Sequence, residues 1–231
     1  MESEEYSQVT GSAVKRRSYD VHRRRERSAQ TRHRILSAAH ELFLANGYRT
    51  TTVAAVAAAA GVNVDTVYEL VGRKPVLMRE LIEEAISGKD HPVAAEQRQY
   101  VQAIRAEPDP GQKIVIYAKA VRRIQQRLAP LFLALRDAAT TEPEAGELWR
   151  AMGERRAANM RLFISDIRDA GGLRPGLSVD AAADMVWAMN SSEMYILLTG
   201  DRGWSPQRFE RWLAQSWRRL ILPPAKQTRR W

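Results

Sequence analysis

The sequence predicts an all-α fold of about nine or ten helices. Apolar residues recur at helical spacing along most of the chain, and no segment alternates apolar and polar residues with the period of two that marks a strand. Glycine and proline separate the helical segments. A hydrophobic fraction of 45% is ordinary for a globular protein with a core. We expect a disordered basic arm over residues 1–27, a first domain over 28–88 and a second over 89–225.

The expected arm carries most of the net charge. The segment 15–34 contains nine Lys or Arg against Asp20 and Glu26, so it holds seven of the nine net positive charges of the chain. A concentrated basic segment is the electrostatic footprint of a partner such as nucleic acid. A solvated, solubilising tail would have the same composition, and both interpretations stay open.

Four helices are expected in the first domain. Gly47, Gly61 and Gly88 are suited to end helices, and Thr51 and Asn63 to cap them. The expected spans are 28–46, 51–60, 63–70 and 74–87.

Proline and glycine divide the rest of the chain into further helical segments. The expected spans are 93–106, 110–128, 130–140, 143–170, 179–199 and 205–222. The 179–199 segment has a polar step, Asn190 to Glu193, between two apolar stretches. That step could line a pocket, cross a dimer axis or face water.

Residues 51–70 have the pattern of a helix-turn-helix. Ala57 is small enough for two helices to cross closely, and Gly61 accepts the positive φ of a tight turn. The outward side chains of the second helix would face a major groove; they are Asn63, Val64, Asp65, Tyr68 and Glu69. An alanine-rich helical hairpin without a partner would show much of the same spacing.

Residues 31–88 resemble the DNA-binding domain of TetR-family transcriptional regulators. The matching stretches are TRHRILSAAHELFLANGYRTTTVAAVAAAAGV and TVYELVGRKPVLMRELIE. The resemblance implies phosphate contacts by Tyr68 and by Lys74. Together with the outward positions, it gives these candidate DNA-binding residues: Thr51, Thr52, Asn63, Val64, Asp65, Thr66, Tyr68, Arg73 and Lys74.

The second helix of the motif departs from the family pattern. After the tyrosine the family often has a basic or aromatic residue, then histidine and phenylalanine, whereas this chain has Glu69, Leu70 and Val71. Asp65 could accept a hydrogen bond from a cytosine amino group. For Glu69 we favour repulsion of phosphate or pairing with Arg73. The arm must then supply much of the attraction to DNA, and it could also enter the minor groove.

The resemblance implies that the second domain binds a small organic ligand. Aromatic and methionine side chains in its middle helices, with two polar anchors, are candidates for the pocket wall. Packing in the core is the alternative for each of them. The candidates are Tyr117, Phe132, Arg136, Trp149, Met152, Met160, Phe163, Trp187, Met189 and Glu193.

A homodimer is expected to form through residues 179–199 and 205–222. The resemblance implies pairing of the last two long helices, and the aromatic face of 205–222 suits an interface or a core. A helix-turn-helix that reads a palindrome also needs a two-fold partner.

Other function classes lack their sequence signatures. The chain has no cysteine, its four histidines lie in the arm, the first helix or the linker after residue 88, and it contains no HExxH, GxSxG or phosphate-binding glycine loop. We therefore expect no enzyme activity, catalytic residue, metal or cofactor. Without an apolar run of about 18 residues or a signal peptide, we expect no membrane partner and a cytoplasmic location. The expected function is that of a regulator, most simply a repressor, released from a DNA operator by its ligand; the alternative is a helical scaffold that binds nucleic acid non-specifically or another protein.

Overall fold

Ten α-helices form the described part of the chain, residues 5–89 and 91–224 of a computed structural model, and this part has no strand. The expected all-α fold is thus confirmed. A 3₁₀ turn at Ala95–Gln97 precedes α5, and a π-helical turn at Leu197–Asp201 follows α9. The helices are α1 Glu5–Thr50, α2 Val53–Ala60, α3 Val64–Leu70, α4 Lys74–Ser87, α5 Gln99–Ala106, α6 Pro110–Ala139, α7 Pro143–Asp169, α8 Val179–Met189, α9 Ser192–Ile196 and α10 Pro206–Ile221.

The first helix is longer than expected. It begins at Glu5, within the segment 1–27 for which we predicted disorder, while residues 1–4 lie outside the described residues. Extending an existing helix adds one hydrogen bond per residue without a new nucleation cost, and the sequence rule for disorder omits this gain. The expected stop at Gly47 is visible as a kink, since its φ of 78° is not helical.

Helices α2 and α3 form the expected helix-turn-helix and are bent by 98° relative to each other. The hydroxyl of Thr52 caps α2 by accepting a hydrogen bond from the Ala55 amide at 3.1 Å. Gly61 ends α2 with a φ of 65°, in the left-handed region where glycine is favoured. Ala57 and Val67 are buried in an apolar cluster that also contains residues of α1 and α4.

A single helix, α6, replaces the two segments expected on either side of Pro130. Proline inside a helix removes one backbone hydrogen bond and costs about 3 kcal/mol. Pro130 is exposed, but its neighbours Ala129, Leu131 and Phe132 are buried. Packing on both sides of the proline therefore keeps the helix continuous.

The expected helix 179–199 is instead broken at its polar step. Asn190 ends α8, and the Ser191 hydroxyl caps α9 by accepting from the Met194 amide at 3.2 Å. Serine and asparagine compete for backbone hydrogen bonds and so favour helix ends over helix interiors.

Two apolar clusters form the core. One joins α1 to α4 with the second half of α6 and the start of α7. The other joins the first half of α6 with the rest of α7, α8 and α10, whose Phe209, Leu213, Trp217 and Ile221 are buried. Since α6 belongs to both clusters, it connects the two halves of the molecule, and a domain boundary near residue 88 stays a prediction.

No single helix among the described residues is long and apolar enough to cross a membrane; α2 and α3 meet the length and composition criteria only as a bent pair.

Candidate functional site

Helix α3 presents one face to solvent. Val67 is completely buried and fixes the rotation of the helix, whereas Val64 is 37% and Tyr68 is 48% exposed. Residues four apart lie on the same side of a helix, so Val64 and Tyr68 share a face. Asn63 and Asp65 are also exposed, and the Asn63 side chain makes no capping hydrogen bond. These predicted contact residues therefore form one accessible surface, beside the half-buried Thr66.

The two threonines before α2 differ in position. Thr51 is buried, and its hydroxyl lies 2.8 Å from the Gly47 carbonyl oxygen and 3.1 Å from that of Leu42. Its side chain thus ties the start of α2 to the end of α1, and it does not fit the predicted role in DNA contact. Thr52 is exposed and remains on the outer surface.

The Lys74 ammonium is held by contacts within the molecule, and its side chain is 21% exposed. It donates to the carbonyl oxygens of Tyr48 at 3.1 Å and of Arg49 at 3.4 Å, and it lies 4.3 Å from the centre of the Tyr48 ring. It also pairs with the Glu142 carboxylate at 3.3 Å, at the start of α7. Lys74 therefore joins three elements, while its neighbour Arg73 is exposed.

The two carboxylates of α3 are exposed. Among the described residues Glu69 forms no ion pair with Arg73, so the pairing considered from the sequence is not present. Both carboxylates therefore act as negative charges on the outer side of the motif.

The basic segment of α1 is exposed where its side chains are described. Arg24, Arg25 and Arg27 lie in the exposed stretch from residue 22 to residue 30. Arg32 is different, because its guanidinium donates to the Glu80 carboxylate of α4 at 2.6 Å. The charge of Arg32 thus serves the packing of α1 on α4.

A cavity of about 280 Å³ lies between α4, α5, α6 and α7. Its wall is mostly apolar and is completed by Asn190 and Ser192, the first from the end of α8 and the second from α9. Five of the ten predicted pocket residues lie on this wall: Tyr117, Phe132, Met152, Met160 and Phe163.

The other five predicted pocket residues lie elsewhere. Trp149 packs against Phe132 at a ring-centre distance of 4.5 Å, outside the cavity. Arg136 and Glu193 pair with each other at 3.5 Å and are partly exposed. Trp187 is 37% exposed, and Met189 packs against the second apolar cluster. Helical spacing identifies apolar residues but does not show which of them border empty space.

The cavity wall includes a buried polar network. The side-chain amide of Asn190 donates to the Tyr117 hydroxyl at 3.2 Å. The side-chain amide of Gln125 donates to the backbone carbonyl oxygen of Asn190 at 2.5 Å. The Ser192 hydroxyl donates to Gln125 at 2.9 Å. Asn190 Oδ1 is buried without a hydrogen-bond partner. Of the three interpretations of the polar step, pocket lining fits Asn190 and Ser192.

Sequence reasoning did not identify Gln125, Asn159 or Arg156 as cavity residues. Burial lowers the pKa of the Arg156 guanidinium, and burial also raises the pKa of the Tyr117 hydroxyl. The guanidinium lies 4.3 Å from the centre of the Trp187 ring, and its Nε is buried without a hydrogen-bond partner. Nothing in the local sequence distinguishes Arg156 from the many exposed arginines of the chain.

In the part of the chain that the structure describes, no group of three His, Asp or Glu side chains could hold a metal ion.

The comparisons with known proteins agree with this arrangement. Residues 35–70 match the family model described as "Bacterial regulatory proteins, tetR family". A comparison with curated protein sequences gives no significant match.

Solved structures resemble the chain over most of its length. NalD, the secondary repressor of the MexAB-OprM multidrug efflux pump in Pseudomonas aeruginosa, is 22% identical with a TM-score of 0.64, over 88% of this chain and 100% of that one. SmeT in complex with triclosan is 18% identical with a TM-score of 0.65, over 84% and 92% of the two chains. The fatty acid degradation regulator FadR from Bacillus halodurans is 17% identical with a TM-score of 0.63, over 81% and 94%.

Proposed function

The chain carries the TetR-family helix-turn-helix sequence and has the fold of TetR-family transcriptional regulators, and from this premise we propose that it is a sequence-specific DNA-binding repressor. In this proposal a homodimer binds an operator, and a small organic ligand in the cavity causes its release. NalD, a structural neighbour, is described as a repressor, and SmeT was solved with a small organic molecule.

The observation that carries the proposal is the exposed face of α3. The buried Val67 fixes the inner side of this helix of seven residues. Val64 and Tyr68 lie on its outer side, and Asn63 lies just before it. A helix of this size fits the major groove. Tyrosine and asparagine side chains donate to phosphate or to base edges. Asp65 remains a candidate acceptor for a cytosine amino group.

Attraction to the DNA backbone would come from the basic surface around α3. Arg73 is exposed, and so are the arginines between residues 22 and 27. Each phosphate that such a charge neutralises steepens the log–log dependence of affinity on salt by about 0.9. These charges offset the repulsion from Asp65 and Glu69.

The dimer is proposed to form through residues 179–199 and 205–222, as the sequence suggests. Apolar side chains remain accessible on these segments, among them Trp187 at 37%, Leu197 at 49% and Leu220 at 36% exposure. Exposed apolar side chains gathered on the segments that the family resemblance singles out suit a protein interface.

Helix α4 is the proposed link between ligand and DNA. Ile82 and Ile86, in its second half, line the cavity, while Lys74 at its first residue holds the end of α1 next to the helix-turn-helix. At 1.5 Å per residue, Lys74 and Ile86 are about 18 Å apart along the helix. A ligand that binds better to the conformation with the wrong spacing of the two reading heads would shift the dimer away from DNA.

The proposal is tested by selection of duplexes from a random-sequence library with the purified full-length protein. We expect enrichment of a two-fold symmetric site that retains its affinity in excess random DNA. Asn63→Ala combined with Tyr68→Ala should abolish enrichment, whereas Arg150→Ala, an exposed change on α7, should not.

Two results would contradict this function. Binding that random DNA displaces completely would indicate a charge-only scaffold. Enrichment that survives the double variant would place the reading surface outside α3.

A further inference from the structure

We infer that the cavity binds a small organic anion, a compound with a compact aromatic or branched apolar body and one carboxylate-like group held by Arg156. This inference rests on the proposed function only in taking the cavity as the effector site. Nothing in the family match or in the structural neighbours assigns a ligand to this chain.

Arg156 is a half-buried charged residue of the cavity wall without an ion pair; Arg105 and Glu96, also on the wall, form none among the described residues but are exposed. Among the described residues Arg156 forms no ion pair, and its Nε is buried without an acceptor. The Trp187 ring covers the guanidinium at 4.3 Å and restricts its movement. Arginine stays protonated in proteins and offers a planar fork of donors that matches a carboxylate.

Three other basic groups around the cavity have acidic partners. The Lys113 ammonium pairs with Asp166 at 2.8 Å, and the Arg98 guanidinium pairs with Glu83 at 3.4 Å. Arg155 also pairs with Glu83. Because Arg98 and Arg155 share the single Glu83 carboxylate, the surroundings of the cavity keep a positive excess, which an anion bound at Arg156 would reduce and a cation would increase.

Glu193 is the acidic group that acts on Arg156 from the same side of the molecule. It is already paired with Arg136, on a partly exposed surface. Solvent screens such a pair, so Glu193 does not replace a bound anion inside the cavity.

The rest of the wall determines the shape of the ligand. Tyr117 and Phe163 lie with ring centres 4.6 Å apart, and Phe132 and Met160 complete an apolar surface. The cavity of about 280 Å³ has the size of a site for a small organic molecule. Asn190 Oδ1 is a buried acceptor without a donor, so an anion that also carries a hydroxyl or N–H group would satisfy it.

The test compares three probes of one shape and different charge: 3-phenylpropionate, 3-phenylpropan-1-ol and 3-phenylpropylamine. Each is titrated into the full-length protein at neutral pH, and binding is followed by isothermal calorimetry and by quenching of tryptophan fluorescence. The loss of a hydrogen bond to a charged group weakens binding by about tenfold or more. We expect the acid to bind at least about tenfold more tightly than the alcohol, and the amine to bind most weakly.

Variants on α7 assign the effect to one side chain. Arg156→Gln should remove the preference for the acid, and Arg156→Lys should retain part of it. Arg161→Gln is the matched control, because Arg161 lies on the same helix, pairs with Asp180 at 2.8 Å and does not line the cavity. It should bind the acid as the unaltered chain does.

Equal binding of acid and alcohol, tighter binding of the amine, or no binding of the acid at millimolar concentration would each overturn the inference. These comparisons use the unaltered protein, so they hold even if a variant fails to fold. Duplex selection is measured separately: a chain that prefers the acid but enriches no duplex would refute the proposed function alone.

Discussion

Thr51 provides the most specific prediction about the helix-turn-helix, because sequence and structure assign it different roles. Thr51→Val keeps the shape of the side chain and replaces its hydroxyl with a methyl group. In the structure that hydroxyl is buried and lies within hydrogen-bond distance of the Gly47 and Leu42 carbonyl oxygens. The substitution should therefore lower the stability of the protein, without a direct effect on DNA.

The magnitude follows from the burial of the hydroxyl. A hydroxyl has one hydrogen to donate, so the variant loses one hydrogen bond that is shared between two part-buried carbonyl oxygens. Leaving a buried group unsatisfied costs about 1–3 kcal/mol. For a chain of this length, 2 kcal/mol corresponds to a decrease of about 4–8 °C in Tm.

The assay is urea and thermal unfolding at one fixed protein concentration, since the proposed dimerisation would make Tm concentration-dependent. The control is Thr50→Val, where the neighbouring hydroxyl is exposed and the change should stay within about 0.5 kcal/mol. Equal stability of Thr51→Val and the unaltered chain, together with a loss of affinity for a selected duplex, would refute this account of Thr51.

Three further predictions concern the arm, the dimer and pH. Deletion of residues 1–27 should weaken duplex binding and flatten its salt dependence, by about 0.9 in log–log slope for each lost phosphate contact; an unchanged slope would exclude the arm. Leu197→Glu should yield a monomer in light scattering, whereas Leu44→Glu, at a similar exposure of 45%, should not; a dimer in both variants would place the interface elsewhere. Burial raises the pKa of Tyr117 above its ordinary value of about 10. The hydroxyl therefore ionises at lower pH in the unfolded chain than in the folded one. The folded state loses stability as pH rises above about 10. Tyr117→Phe should show a smaller loss in urea midpoints over that range, and parallel profiles would contradict this.

The helix-turn-helix could be predicted from sequence because its signals are local. Gly61 ends α2, and the small Ala57 and the apolar Val67 lie where the motif needs them. A helix rotation fixed by one buried residue also places every outward residue, so Asn63, Val64 and Tyr68 were predictable. The burial of Thr51 was not, because it depends on where the α1 kink places two carbonyl oxygens.

The cavity between α4, α5, α6 and α7 could be predicted only in part, because empty space depends on packing between distant helices. Aromatic residues of α6 and α7 were correctly placed near it, but the same criterion also selected Trp149 and Trp187, which lie outside. Arg156 became recognisable only when its surroundings showed a buried Nε without an acceptor. Pro130 shows the same dependence, since tertiary packing carries α6 through a residue that normally ends a helix.

The central claim is that α3 lies in a groove of duplex DNA. Because the chain contains no cysteine, Glu69→Cys at the exposed end of α3 gives a unique attachment site for an iron chelate that cleaves nearby DNA. On a duplex selected by the unaltered protein, we predict two cleavage centres separated by about 10 base pairs or a multiple of that. Leu162→Cys, exposed on α7, should give none. Tight binding by the labelled protein with no cleavage from position 69, or equal cleavage from position 162, would contradict the claim.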